Sequence, residues 1–331
     1  MNIDSFWEAL FSEDTAIVRA AFQSLDAEER GTVFDTLRRI EADMERIEAQ
    51  RDAARFAMNA IHSDAQALPE GALEFARALV HDVAQELKSS RGVRQATAKA
   101  DGSLVTQFDL KADQRLCDAL AAHFPGHTVL SEERRSIYGG EEWAWMIDPI
   151  DGTTNFTWGF PCWGVLVALL RFGQPMLGIL DFPETAEQYW ASLGGGAFRN
   201  GEALHCDSDA AEVLPTQLFS LCSRSVKAGL TQFGAKLRVS GSCGYDLALL
   251  AAGAIVGTQQ MHVYPWDIAA GWVLAAEAGA VIHTFDATVF PLAPGSDCAA
   301  RSVAVLGASS ETLWAKFSAH TVSQNKKPEK S

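Results

Sequence analysis

The chain has 331 residues, of which 48% are hydrophobic and 21% charged, the balance of a folded globular protein rather than a disordered one. Its formal net charge is −15, so it repels nucleic-acid phosphates and anionic membrane surfaces, and neither is an expected partner. A phosphorylated substrate would be repelled as well, unless bound cations reverse the sign locally.

The N-terminus, "MNIDSFWEAL", lacks the basic start and apolar stretch of a signal peptide, and a cytoplasmic protein is expected. Residues 1 to about 62 read as helical. Short helices are predicted around Phe6–Phe11 and Thr15–Leu25, followed by one long helix from Asp35 to Ile61. That segment has no Gly or Pro and places Leu37, Ile40, Met44 and Ile47 on one stripe. A helical extension over 1–65 with a greasy face must pack on the main body or on another subunit; the expected assembly is a homo-oligomer, a dimer. "HSDAQALPEG" is a linker broken by Pro69 and Gly71.

From Ala72 the texture changes. A helix over 72–88 leads to a loop through 89–103 and a second helix beginning near Asp109. "HTVLSEE" and "EEWAWMID" read as strands ending in acids, "WGVLVALLRFGQPMLGILDF" as two strands joined at Phe172-Gly173, and "GAFRNGEAL" as an Asn-Gly hairpin. After Pro215, strands and helices alternate: "KLRVSG" and "GYDLALLAAG", "TQQMHV" and "PWDIAAGWVLAAEAG", then "SVAVLGA" and a last helix to about His320. Residues 321–331 read as a disordered tail. The apolar stretches at 164–170 and 247–256 are too short to span a bilayer. Six cysteines form no CxxC pair and read as reduced, buried hydrophobes. The fold class is α+β, with sheets layered between helices.

The chemistry is concentrated in "WAWMIDPIDGTTNF", residues 143–156. A buried run ends at Asp148, Pro149 stiffens the next step, and Asp151 and Gly152 precede a short helix. Two carboxylates beside a helix start suit divalent cations plus a phosphate, although Asp151 could simply cap that helix. Glu132 and Glu133 end one strand, and Asp267 and Asp109 fall in the first turns of two helices, where acids are common. Together, Asp148, Asp151, Glu132 and Asp267 have the oxygen ligands for two hard cations.

"LSEE", "WMIDPIDGTTNF" through "GFP", "GGGAFRNGE" and "YPWDIAAG" occur in the order found in the inositol monophosphatase family, which this chain resembles over residues 72–318. The resemblance implies a layered αβαβα sandwich of the sugar phosphatase type over 72–320, divided at about residue 215, and a magnesium-dependent, lithium-sensitive phosphomonoesterase. It implies two to three Mg2+ ions: one held by Glu132, Asp148 and the Ile150 carbonyl, a second by Asp148, Asp151 and Asp267, and a weaker third helped by Glu132. Asp151 and the amides of Gly152 and Thr153 would cradle the phosphate. Thr153 with Asp109, and Glu132 beside them, would be the catalytic set that orients an attacking water, matching the family segment seen in "KADGSLVTQFD". No phosphoenzyme is implied, so Ser242, Cys243 and the histidines are not needed as nucleophile or base. His262 and His283 read as packed or surface residues.

The substrate-facing part departs from the family pattern. Where inositol-type members read roughly "GSAALDLAYVAAGR", this chain has "GSCGYDLALLAAGA", and Gln260 stands seven positions before Asp267 where an acid is usual. Ser242, Cys243 and Gln260 are the candidate substrate-binding residues. A cyclitol, sugar or polyol monophosphate is the expected substrate. Fructose 1,6-bisphosphate, histidinol phosphate, 3′-phosphoadenosine phosphates, and a non-catalytic oligomeric scaffold are the alternatives.

Overall fold

The computed structural model describes residues 3–64, 68–90, 96–98, 104–285, 288–300 and 302–325. Four helices come first: α1 Ile3–Leu10, α2 Thr15–Gln23, α3 Ala27–Ala42 and α4 Glu48–His62. Asp14 caps α2 through the amides of Ala16 and Ile17, and Asp26 forms a capping box with Glu29 at the start of α3. The single helix expected over 35–61 is therefore two. The chain leaves helical geometry at Asp43, and Met44 and Ile47, expected on the buried stripe, are 79% and 67% exposed. Folding back lets Phe34 and Leu37 on α3 and Ala57 and Ile61 on α4 bury together. A straight helix could not bring those faces to one place.

These faces close on the turn between β5 (Gly164–Arg171) and β6 (Gln174–Phe182) of the same chain. Phe172, in the left-handed region at φ 47°, stacks on Phe34 with ring centroids 4.1 Å apart and meets Phe22 edge-on. Arg38 donates to the carbonyls of Phe172 and Leu292. Arg171, 2% exposed, pairs with Glu142 at 3.1 Å and donates to the Ile61 carbonyl, so its buried charge is matched. Each buried aromatic ring contributes about 2–3 kcal/mol to this docking.

The body begins with α5 (Ala72–Ser89). After it, β1 (Ala96–Ala98) and β2 (Leu104–Thr106) pair antiparallel, and α6 (Gln107–His123) follows. The rest of the expected loop over 89–103, including Lys99, Asp101 and Gly102, falls largely outside the described residues. A seven-stranded sheet runs β3 (Thr128–Ser131), β4 (Trp143–Asp151), β5, β6, β7 (Glu187–Ser192), β8 (Gly196–Arg199) and β9 (Glu202–Ala203), with only β3 and β4 parallel. The Asn-Gly turn joins β8 to β9, with φ 51° at Asn200 and 92° at Gly201. A second sheet has the order β11 (Lys236–Arg238), β10 (Leu218–Leu221), β12 (Gly257–Val263), β14 (Val303–Ala308), β13 (Val281–Thr284).

Helices α5 and α6 cover one face of the large sheet over Trp145, Ile147, Val165 and Val167. On its other face lie α9 (Cys243–Ala251) and α10 (Pro265–Glu277), sandwiched against the second sheet. Gly178 brings α10 close: a Cβ there would lie 2.2 Å from the Ala270 carbonyl oxygen. The short α8 (Ser223–Lys227) and α11 (Glu311–Asn325) cover the outer face, completing an αβαβα sandwich with an added N-terminal helical segment. The last helix runs on to Asn325, so residues 321–325 are helical rather than tail, and 326–331 lie outside the described residues. Among the described residues no helix is long and apolar enough to cross a membrane.

Candidate active site

The two aspartates of "DPIDG" reach one face of the sheet through a β-bulge. Asp148 pairs with Leu166 and Asp151 with Gly164, so three steps along β4 match two along β5. Side chains alternate along a strand, so residues three apart normally point to opposite faces; the extra residue cancels that inversion. Ile150 consequently packs with Trp145 and Ile147 on the α5–α6 side, while Asp151 turns to the α9–α10 side, where Asp148 already points with Ala144 and Met146. Pro149 has no ladder proton to give and is tolerated at the irregularity.

Asp151 does not cap the short helix after it. That helix, α7 (Thr153–Trp158), has Gly152 at its N-cap in the left-handed region at φ 86°. The Asp151 carboxylate instead faces the start of α9, where it accepts from the Ser242 hydroxyl at 2.5 Å, the Cys243 amide at 3.2 Å and the Gly244 amide at 2.8 Å. A Cβ on Gly244 would sit 2.5 Å from Leu166 and 2.9 Å from Asp151 Oδ2, so the departure from the paired alanines of the family pattern lets α9 approach this closely. Ser242 thus donates its proton to Asp151, and Cys243 lies buried beside it with its thiol pushed well up by burial.

The remaining acids arrive from other elements. Glu132 follows β3, its amide bonded to the Ile147 carbonyl at 3.3 Å. Asp267, in the first turn of α10, accepts from the Tyr264 amide at 2.8 Å. Asp109, in the first turn of α6, accepts from the Thr106 amide at 2.7 Å, and its other oxygen is 3.3 Å from the Thr153 hydroxyl. That hydroxyl also lies 3.0 Å from the Ile150 carbonyl oxygen. Asp109 and Asp267 are therefore first-turn acids that cap their own helices and still present an oxygen elsewhere.

Glu132, Asp148, Ile150, Asp151, Gly152, Thr153, Ser242, Cys243, Gln260 and Asp267 all line one cavity of about 280 Å3. Gln260 stands in its wall, 3% exposed, with its amide nitrogen bonded to Asp246 and Thr258. His262 and His283 are exposed. A larger opening of about 850 Å3, between the N-terminal helices and residues 291–293, is lined by a single acid, Glu41, and has no comparable set.

Burial and mutual repulsion load the cavity electrostatically. Asp148 has its pKa pushed well up, first by burial and then by the charges of Glu132, Asp151, Asp267 and Asp109. Asp267 is raised for the same reasons, and Asp109 chiefly by burial. Asp151 is pushed up to about 6, the donors from α9 holding it below what burial alone would give. Among the described residues no three His, Cys, Asp or Glu side chains close into a tight cage. The four acids and the Ile150 carbonyl that converge here offer oxygen donors, and the Cys243 thiol beside them is kept protonated by burial. That fits a hard cation such as Mg2+, which keeps several waters and takes carbonyls as well as carboxylates. It does not fit a soft metal.

Sequence reasoning missed Asp246, in the first turn of α9, buried behind Gln260 and pushed up to about 7 by burial. It missed Arg224 too, the one lysine or arginine lining the cavity among the described residues. Asp246 carries only the signal of an acid near a helix start, and Arg224 none.

An acid-lined pocket thus lies at the strand and helix ends of an αβαβα sandwich. The model of the inositol monophosphatase family matches residues 64–322, and the chain belongs to that family of phosphatases. Inositol-1-monophosphatase of Mesorhizobium japonicum is 34% identical over 224 residues, 63% of this chain and 82% of its own. Fructose-1,6-bisphosphatase/inositol-1-monophosphatase of Aquifex aeolicus is 31% identical over 192 residues, 55% of this chain and 73% of its own. The solved IMPase of Thermotoga maritima superposes with a TM-score of 0.67 at 26% identity, covering 77% of this chain and 98% of that one.

Proposed function

We propose that the protein is a Mg2+-dependent phosphomonoesterase acting on a small cyclitol, sugar or polyol monophosphate. The observation that carries the reading is the convergence of Glu132, Asp148, Asp151 and Asp267, from the end of β3, from β4 and from the first turn of α10, on a single cavity. Buried acids that repel one another this strongly are stabilised by divalent cations.

Glu132, Asp148, the Ile150 carbonyl, Asp151 and Asp267 would hold two to three Mg2+ ions. When bound, Mg2+ supplies the positive charge that accepts the phosphate and the Lewis acidity that lowers the pKa of a water. The amides of Gly152 and Thr153, at the open start of α7, receive the phosphate oxygens. The Thr153 hydroxyl donates its hydrogen bond to Asp109, leaving the Thr153 oxygen to accept from the attacking water and aim it at phosphorus. Ser242 acts by keeping Asp151 ionised and correctly turned. Residues 72–320 constitute the catalytic unit, and 1–65 an extension docked on its far end.

A second reading, a sugar bisphosphate, has one observation in its favour: exposed Arg224 at the mouth of the cavity can meet a second phosphate. The relative from Aquifex aeolicus carries both activities in its name. Phosphate release with Mg2+ from inositol monophosphates, sugar monophosphates, fructose 1,6-bisphosphate and histidinol phosphate decides between them. Preferential turnover of a bisphosphate rejects the first reading. Equal release by wild type and Asp148→Asn rejects catalysis at this cavity altogether.

A further inference from the structure

Gln260 lies where the wall of the acid cavity meets β12, and its amide is held on one side only. Both protons of its Nε2 are committed: one to Asp246 Oδ2 at 2.7 Å, the other to Thr258 Oγ1 at 2.9 Å. Thr258 in turn accepts from the Ser220 hydroxyl at 2.6 Å, so the chain of donors runs inward, away from the cavity. An amide has two donors, both on nitrogen, and its oxygen only accepts. Among the described residues nothing donates to Gln260 Oε1, and Gln260 lines the cavity.

The amide cannot be turned over at no cost. Reversal would set its oxygen against the Asp246 carboxylate, two acceptors face to face, and would take from the buried Asp246 Oδ2 the donor that now meets it at 2.7 Å. We infer that Asp246 is a positioning residue that locks Gln260 with its carbonyl oxygen toward the substrate, so this wall selects a hydrogen-bond donor, a hydroxyl, over a keto oxygen, carboxylate or second phosphate. The usual carboxylate at this place also accepts; Gln260 keeps that polarity without its charge, because Asp246 removes the donor half of the amide. The inference deepens the phosphomonoesterase reading and rests on it. It also restricts any second phosphate to the Arg224 side of the cavity.

The test uses the intact wild-type enzyme with Mg2+ at pH 8, where Asp246 is ionised, and its best monophosphate substrate. Each hydroxyl of that substrate is replaced in turn by hydrogen and by fluorine. Fluorine is close to hydroxyl in size and can accept weakly but not donate. At one position both analogues should lose on the order of tenfold in kcat/KM, carried by KM. Recovery of activity by the fluoro analogue at the sensitive position would mean that an N–H faces the substrate, and it overturns the inference; so does an absence of any sensitive position. As a second arm, Asp246→Asn offers an N–H to Gln260 Oε1 and frees the amide to turn. KM for the hydroxylated substrate should rise on the order of tenfold with little change in kcat, and the double variant D246N/Q260E, which restores an acceptor, should recover most of it. A double variant no better than the single one counts against the inference. Phenyl phosphate, which has no hydroxyls, separates the two failures. No phosphate release from it or from any other ester removes the phosphatase reading and the inference together, whereas release from phenyl phosphate with a flat analogue series sinks the inference alone.

Discussion

Raising the pH of the metal-free protein should destabilise it in a range where most proteins are at their steadiest. A carboxyl whose pKa is higher in the folded than in the unfolded chain binds protons more readily when folded. Its contribution is therefore present below the unfolded value and lost as pH rises through the folded one. Asp151 goes from an ordinary 3.8 to about 6, which at about 1.4 kcal/mol per unit is about 3 kcal/mol lost between pH 4 and 7. Asp148 and Asp267 are displaced in the same direction and add to it. About 2 kcal/mol of that is still present at pH 4.5, so at roughly 2 °C per kcal/mol for a chain of this size the melting temperature in EDTA should fall by about 4 °C or more from pH 4.5 to 7.5. Millimolar Mg2+ should restore it at pH 7.5 and do little at pH 4.5, because protonated carboxyls do not hold the ion. The assay is a melting series followed by circular dichroism, in EDTA and in Mg2+, with Asp148→Asn as control. A melting temperature that is flat or rising in EDTA, or an equal Mg2+ effect at both ends, would refute the reasoning.

Asp148→Asn should lower phosphate release more than ~100-fold and yet raise the metal-free melting temperature at pH 7.5, because a buried charge is replaced by a neutral amide. Ser242→Ala removes a donor that holds Asp151 down, so the acid limb of the pH–rate profile should move to higher pH. Phe34→Ala should cost about 3–5 kcal/mol in urea unfolding, through the emptied stack on Phe172. Its kcat should stay at the wild-type value, because Phe172 lies beyond the end of β5 remote from Gly164 and Asp151.

Most helices and the longer strands of the body were readable because their punctuation is local: Pro69 and Gly71, Asn200-Gly201, and the acids at element ends; β7, β10, β13 and the short α8 were not read. The "DPIDG" segment announced a pair of clustered carboxylates through composition alone. Why its two aspartates face the same way was not readable, since the bulge is visible only when β4 is aligned against β5. The break at 43–47 was hidden for a related reason. Leu37, Ile40, Met44 and Ile47 continue one helical stripe, and neither Gly nor Pro interrupts it. What ends α3 is the gain from folding α4 back onto Phe172, a partner more than a hundred residues distant. The roles of Asp246 and Gly244 depend on neighbours from β12 and β4, so no inspection of the α9 segment by itself would find them.

The irregular pairing between Asp148 and Asp151 makes the count of residues in that stretch more restrictive than their kinds. A different side chain at Pro149 or Ile150 can be absorbed by repacking. Adding one residue there, with the single bulge kept, would set Asp151 an odd number of paired steps from Asp148 and swing it into the apolar layer beneath α5 and α6, while leaving most of the sheet able to form. A single-codon insertion between Asp148 and Asp151 should be far more damaging than any one replacement of Pro149 or Ile150, and the product would be a well-folded but inert protein.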